Sequence, residues 1–233
     1  MQNQESSIAY DKERAASFDK QVAKLAPMRD ALHFLIRMVF SELPTDARIL
    51  CVGAGTGSEL IALAQAFPQW RFTALDPAPH MLNICRQRAE ENGITSRCTF
   101  HEGYLDSLPE TDSYDAATCI LVSQFFMHAK ERREFFSQIA ARIRPEGYLV
   151  SADLASDMST YAYNKIFSIW ERTMKYSDMS SEEVEMRLAA FGRKIAVLPP
   201  EEVKSIIASS GFDTPVLFFQ TLLIHAWFTK LAS

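Results

Sequence analysis

Apolar residues along the chain fall into short unbroken runs that alternate with longer stretches of helical period. Arg48–Val52 (RILCV) is an apolar run with a polar turn before it and glycines after it, which predicts a buried strand. Ser58–Phe67 follows with helical spacing, then a second strand at Arg71–Leu75 and a helix over Pro79–Asn92 closed by Gly93. Cys98–His101, Asp115–Val122 and Tyr148–Leu154 predict strands three, four and five. A helix over Lys130–Ile143 precedes the fifth, with Pro145-Glu146-Gly147 as the turn between them. Strand–helix alternation of this kind implies right-handed crossovers and a mostly parallel sheet.

The two ends read differently. Residues 5–43 are helical in pattern, with an amphipathic second half, so 1–45 forms an N-terminal helical part. Residues 157–191 are also helical and offer no strand, which marks them as an insertion or lid. A last helix, Pro200–Ser210, leads through Gly211 to two apolar runs, Pro215–Phe219 and Leu222–Phe228, expected to form a terminal antiparallel pair. The expected fold is therefore α/β, a doubly wound, seven-stranded, mostly parallel sheet with a terminal antiparallel strand and added helices. No repeat or linker divides it, so 1–233 reads as a single domain.

Composition narrows the field only a little. A 48% apolar fraction suits a globular protein, and a net charge of −5 gives no support to a broad nucleic-acid surface. No apolar run reaches the length of a membrane span, and the polar start does not resemble a signal peptide. Cys51, Cys85, Cys98 and Cys119 are scattered, so no metal site is expected and a reduced, cytoplasmic protein is the simplest reading.

The chemistry concentrates at Gly53-Ala54-Gly55-Thr56-Gly57, directly after the first strand. Gly53 and Gly55 suit a sharp turn that lets a ligand approach the backbone, and Gly57 opens a helix whose free N–H groups can face that ligand. Asp76 closes the next strand, where a carboxylate can accept hydrogen bonds from both hydroxyls of a ribose. Strand, turn, helix, strand and acid in this order point to a nucleoside cofactor, with a purely structural turn as the plainer alternative. The spacing is G-x-G-x-G, whereas a dinucleotide site prefers G-x-G-x-x-G.

This glycine segment resembles motif I of the class I S-adenosylmethionine-dependent methyltransferases. Phe100–Leu108 resembles the family's adenine segment, Asp115–Phe126 its fourth strand and exit, and Ile143–Val150 its turn into strand five. Tyr10-Asp11 and Phe18-Asp19 resemble a repeat common before that fold. Leu121–Phe126, Arg187 and Ala208–Trp227 extend a distant similarity to the carboxy-S-adenosylmethionine synthases of tRNA uridine modification. The resemblance implies S-adenosyl-L-methionine as cofactor, with contacts at Gly53, Ala54, Gly55, Gly57, Asp76, Pro77, Tyr104 and Leu105. It places Arg29 where that synthase family has a tyrosine, Ile120 where it has an asparagine, and a carboxylate-binding arginine near Arg187. Motif I of the wider family carries an acid two residues before the first glycine; here that residue is Cys51.

Three functions follow as expectations. The first is methyl transfer to a small-molecule acceptor. The second is a synthase that modifies the cofactor, and the third a cofactor-binding protein without transfer activity. His128 and Asp153, after strand four and near the end of strand five, are the candidate bases; a surface role for His128 competes. Tyr163, Ile166, Phe167, Trp170 and Met174 share one helix face, as packing or as a lid. Dimerisation through 157–191 is a further expectation.

Overall fold

The computed structural model describes residues 12–109 and 113–232. Tyr10 and Asp11, and with them the first half of the expected N-terminal repeat, lie outside the described residues. Two helices come first, α1 (Lys12–Gln21) and α2 (Ala26–Val39). Then β1 (Arg48–Val52), α3 (Ser58–Ala66), β2 (Arg71–Asp76), α4 (Pro79–Glu91), β3 (Cys98–Glu102) and β4 (Tyr114–Ile120) alternate. After α5 (Ala129–Ala140) and β5 (Ile143–Leu154) come α6 (Tyr161–Tyr176), α7 (Ser181–Ala189) and α8 (Pro200–Ala208). The hairpin β6 (Val216–Thr221) and β7 (Ile224–Lys230) ends the chain.

The seven strands form one sheet in the order β3-β2-β1-β4-β5-β7-β6. β1 to β5 run parallel, and β7 is antiparallel to both β5 and β6. The order reverses between β1 and β4, which opens a crevice at the carboxyl ends of the strands, where ligands bind in sheets of this kind. Alternate residues of β1 serve the two faces. Ile49 and Cys51 pack with Ile36, Phe40, Leu60 and Cys85 under α2, α3 and α4. Leu50 and Val52 pack with Phe136, Ile139, Val203 and Ile207 under α5 and α8. A third apolar cluster, built mainly from α6, α7 and the start of β7, lies over the carboxyl ends of β4 and β5.

The expected elements are present, with three local corrections. Pro145-Glu146-Gly147 is not a turn before β5 but a bulge inside it. Tyr114 pairs with Ile143 and Ala116 with Tyr148, and the intervening residues are accommodated with Glu146 at φ 63°. β4 ends at Ile120, two residues early, because Leu121 turns into the left-handed region at φ 59°. In the terminal hairpin Gln220 and Thr221 belong to β6, and the loop is Leu222-Leu223, with Leu222 at φ 51°. The helical stripe proves to be mainly packing, since Tyr163, Trp170 and Met174 are buried in the third cluster and Ile166 and Phe167 pack at its margin. Among the described residues no helix is long and apolar enough to cross a membrane, and no cluster of His, Cys, Asp and Glu is grouped to hold a metal.

Candidate active site

The glycine segment leaves β1 and folds under the end of β2. The N–H groups of Gly53 and Ala54 both donate to the Leu75 carbonyl, at 2.8 and 3.0 Å. The Gly55 N–H donates to Asp76 Oδ2 at 2.8 Å, while Asp76 Oδ1 accepts from the Ala78 N–H at 2.8 Å. Asp76 thereby ties the loop to the start of α4. Burial raises its pKa, and the two N–H groups oppose that shift by favouring the carboxylate. Each carboxylate oxygen accepts one of these bonds and retains capacity for another.

The glycines have different reasons. A Cβ on Gly53 would lie 2.3 Å from Val122 Cγ2, and one on Gly57 2.5 Å from Cys85 Sγ, so protein atoms already fill those directions. On Gly55 the nearest atom would be Met81 Cε, at 3.6 Å. Gly55 is thus the position where the backbone offers room for a ligand to approach. Gly53→Ala combines the clash with a φ of +66°. It is expected to lower the melting temperature, and Val122→Ala in the same chain is expected to recover part of the loss. Purely additive melting shifts in the double variant would remove Val122 as the cause.

Two residues of α1 and α4 brace the loop from outside. Asp19 Oδ1 accepts from Thr56 Oγ1 at 2.8 Å, and Asp19 Oδ2 accepts from Arg88 Nη1 at 2.9 Å. The same Arg88 nitrogen donates to the Thr56 carbonyl at 3.1 Å and to Ser58 Oγ at 3.1 Å. Behind the loop, on the second residue of α3, lies Glu59, only 7% exposed. Burial is the largest influence on it and raises its pKa from 4.5 to about 7; nearby Asp76 adds to the rise, while Arg88 and helix N–H groups oppose it. Burial pushes up the pKa of Cys51, and Glu59 adds to that rise.

Farther along the crevice, Tyr104 is 54% exposed, with its carbonyl accepting from Ser107 Oγ at 2.7 Å. Leu105 is buried, and its carbonyl accepts from Arg142, which also bonds the Leu108 carbonyl and so fixes this segment. Pro77 is exposed beside Asp76, and Ile120 is half-buried at the end of β4. The next residue, Leu121, joins Phe125, Phe167 and Phe191 at the margin of the third apolar cluster. Gly55, Asp76 and Tyr104 thus lie at or just beyond the carboxyl ends of β1, β2 and β3, and Leu121, just beyond β4, leads into the third apolar cluster.

Other expected residues sit elsewhere. Asp153 is a correction: it has no exposed surface and cannot meet an acceptor in this structure. Its oxygens accept from Ser123 Oγ at 2.8 and 2.9 Å and from Ser151 Oγ at 3.2 Å, and Arg132 Nη2 lies 3.1 Å away. His128 is exposed immediately before α5, where its carbonyl accepts the Arg132 N–H. Arg29 pairs with Asp30 and lines a cavity of about 300 Å³ with Ser58 and Arg88, at the first turn of α3. Arg187 on α7 stands 6.0 Å from the ring centre of Phe18, the neighbour of Asp19. Glu59 and Arg88 were not among the expected site residues. Glu59 had one usable signal: it precedes Leu63 by four residues and so shares that residue's inward face.

Residues 49–147 match the methyltransferase domain family. A carboxy-S-adenosyl-L-methionine synthase of Campylobacter lari is 23% identical over 89% of this chain and 88% of its own length. The biotin biosynthesis bifunctional protein BioHC of Teredinibacter turnerae is 24% identical over 75% of this chain, which spans 29% of that protein. An O-methyltransferase family protein of Burkholderia thailandensis superposes with a TM-score of 0.66 at 17% identity, covering 97% of this chain and 61% of its own. The seven-stranded sheet is the fold of the class I S-adenosylmethionine-dependent methyltransferases, and the segment 49–147 is similar to a methyltransferase domain, a likeness that implies S-adenosylmethionine binding.

Proposed function

We propose that the protein transfers the cofactor's methyl group to a small, largely apolar acceptor. The observation that carries this reading is the Gly55–Asp76 tie at the switch point, continuing into the apolar wall of Leu121, Phe125, Phe167 and Phe191. Bound at that point, the cofactor supplies an electrophilic methyl on a sulfonium. The chain's own task is to bind, to exclude water and to hold the acceptor in line, which can contribute effective molarities on the order of 10⁵–10⁸ M. In this reading Asp76 receives the ribose hydroxyls, Gly53–Gly57 meets the methionine part, and Tyr104 and Leu105 flank adenine. Pro77 and Ile120 complete the adjoining walls. Asp153 has no part in it, and no dedicated base is assigned, since His128 opens to solvent.

Asp76→Ala is expected to weaken S-adenosylmethionine binding by about 1.5–3 kcal/mol, the usual size of hydrogen bonds to a charged group. Unchanged affinity by calorimetry would take Asp76 out of the site. The activity itself is tested by incubating the protein with labelled S-adenosylmethionine and panels of phenols, amines, thiols and tRNA. Label in a small apolar acceptor supports the proposal, and label in tRNA alone sinks it. A carboxy-transfer reading draws on Arg187, but that guanidinium lies over Phe18, engaged with α1. Mass spectrometry of the ligand that co-purifies separates the two, because only carboxy transfer predicts a carboxylated cofactor.

A further inference from the structure

The amino ends of the strands, at the opposite end of the sheet from the glycine loop, gather positive charge. Arg48 opens β1, Arg71 opens β2, and Arg97 immediately precedes β3. Parallel pairing sets Arg48 beside Arg71 and Phe72 beside Cys98, so the three arginines fall on adjacent strand ends. They line a cavity of about 290 Å³, with buried Thr73 and exposed Ser96 also in its wall. Among the described residues no acid lines it. Arg97 gives its guanidinium to the carbonyls of Ala64, Phe67 and Trp70 at 3.0 to 3.2 Å, which are neutral partners. Arg71 is exposed, and its side chain meets no hydrogen-bonding or acidic partner among the described residues. Asp115, on neighbouring β4, is engaged by the Arg48 N–H at 2.6 Å and by Arg144. Like charges gathered around a cavity without an acid repel one another, and an anion between them relieves that.

We propose that this cavity is a second ligand site, which binds a terminal phosphate group, free or carried on a small metabolite. Guanidinium groups present paired N–H donors that match phosphate oxygens, and Arg71 has its donors to spare. The wall supplies hydroxyls as well. Thr73 Oγ1 accepts from Tyr114 Oη at 3.1 Å, which leaves the Thr73 hydrogen for a ligand oxygen. The volume is near the lower end of small-molecule sites, roughly 300–1,000 Å³, and so suits a phosphate on a short organic group. An extended nucleic-acid backbone fits less well, since the chain carries a net charge of −5 and the arginines surround one cavity instead of forming a track. Arg71 and Asp76 are the two ends of β2, roughly 17 Å apart along the strand. A ligand held at Arg71 is therefore distinct from the methyl acceptor, and the inference does not depend on the methyl-transfer reading.

Calorimetric titration of the whole chain at fixed ionic strength tests this with inorganic phosphate, glycerol phosphate, glycerol, and an oligothymidylate lacking terminal phosphates. Inorganic phosphate and glycerol phosphate are expected to compete for one site per chain, and glycerol to show no binding. Tighter binding of glycerol phosphate assigns the site to a phosphomonoester, and tighter binding of phosphate assigns it to the free ion. Arg71→Gln is expected to weaken both about tenfold, the size of one hydrogen bond to a charged group, and to leave S-adenosylmethionine affinity unchanged. Cys98 reports where the ligand sits, because it lines the same cavity and is half-buried while the other three cysteines are buried. Burial raises its thiol to about 11, with Arg97 opposing, so alkylation by iodoacetamide is slow. Bound phosphate is expected to slow it further in the wild type and not in Arg71→Gln. The proposal is overturned by an absence of saturable phosphate binding, by binding that Arg71→Gln leaves intact, or by displacement of phosphate by the oligonucleotide. A Cys98 alkylation rate indifferent to phosphate would overturn it too. A wild type that binds phosphate but not S-adenosylmethionine would keep this site and refute the cofactor reading, so the two fail separately.

Discussion

Replacing Arg132 by methionine is expected to destabilise the protein by about 3–5 kcal/mol, the usual penalty for leaving a buried charge without its partner. Arg132 and Asp153 are both at 0% side-chain exposure, and Ser123 Oγ bridges them, accepting from Arg132 Nε at 2.8 Å and donating to Asp153. Burial raises the Asp153 pKa, and Arg132, Ser123 and Ser151 oppose it. The guanidinium is imperfectly served, because Nη1 and Nη2 have no aligned hydrogen-bond partner among the described residues. The ion pair thus contributes less than its burial suggests. Arg132→Met with Asp153→Leu is accordingly expected to fall within about 1 kcal/mol of wild type, since replacing both members removes the uncompensated charge. Urea denaturation measures both variants. A single variant as stable as the double would show that Asp153 is neutral at neutral pH and that the pair is not ionic.

The second large effect concerns Glu59 in the ligand-free protein. Its pKa is about 7 folded against an ordinary 4.5, so the unfolded chain gives up this proton first as pH rises. Stability from this group is full below 4.5, declines between 4.5 and 7, and is lost above about 7. The gap amounts to a penalty on the order of 3 kcal/mol at pH 8. Glu59→Gln has no proton to lose and is expected to be the more stable protein at pH 8, with the advantage shrinking toward pH 5. Asp153 shifts in the same direction in both proteins, so the difference between them isolates Glu59. A constant difference between pH 5 and 8 would refute the assignment.

These residues mark where reading the sequence stops. The strands around the crevice could be seen because β1 to β5 are apolar runs bounded by turn residues, and local pattern decides such elements. The glycine loop and Asp76 were visible for the same reason, their spacing being local. Arg132 is not visible, and Glu59 only through its spacing from Leu63, because first-turn charges on helices ordinarily face water. Their burial depends on α4 folding over α3, and on β5 bringing Asp153 to α5 from 21 residues away in sequence. Likewise the bulge at Pro145–Gly147 has the composition of a turn, and only the register of β4 against β5 reveals that the strand continues through it. The terminal loop at Leu222-Leu223 carries no Gly, Asn or Asp to announce it.

Leu121 sets a limit on how this site can drift. Its left-handed backbone costs a residue of this type roughly 1–2 kcal/mol, a strain that glycine would relieve. Yet its side chain belongs to the apolar wall, and the same turn presents Val122 to the back of Gly53. The substitution easiest for the backbone is therefore the one that strips the wall proposed to face the acceptor. A lineage changing acceptor would find its neutral steps at Phe125, Phe167 or Phe191, where ordinary packing governs, and not at the residue where the strand ends.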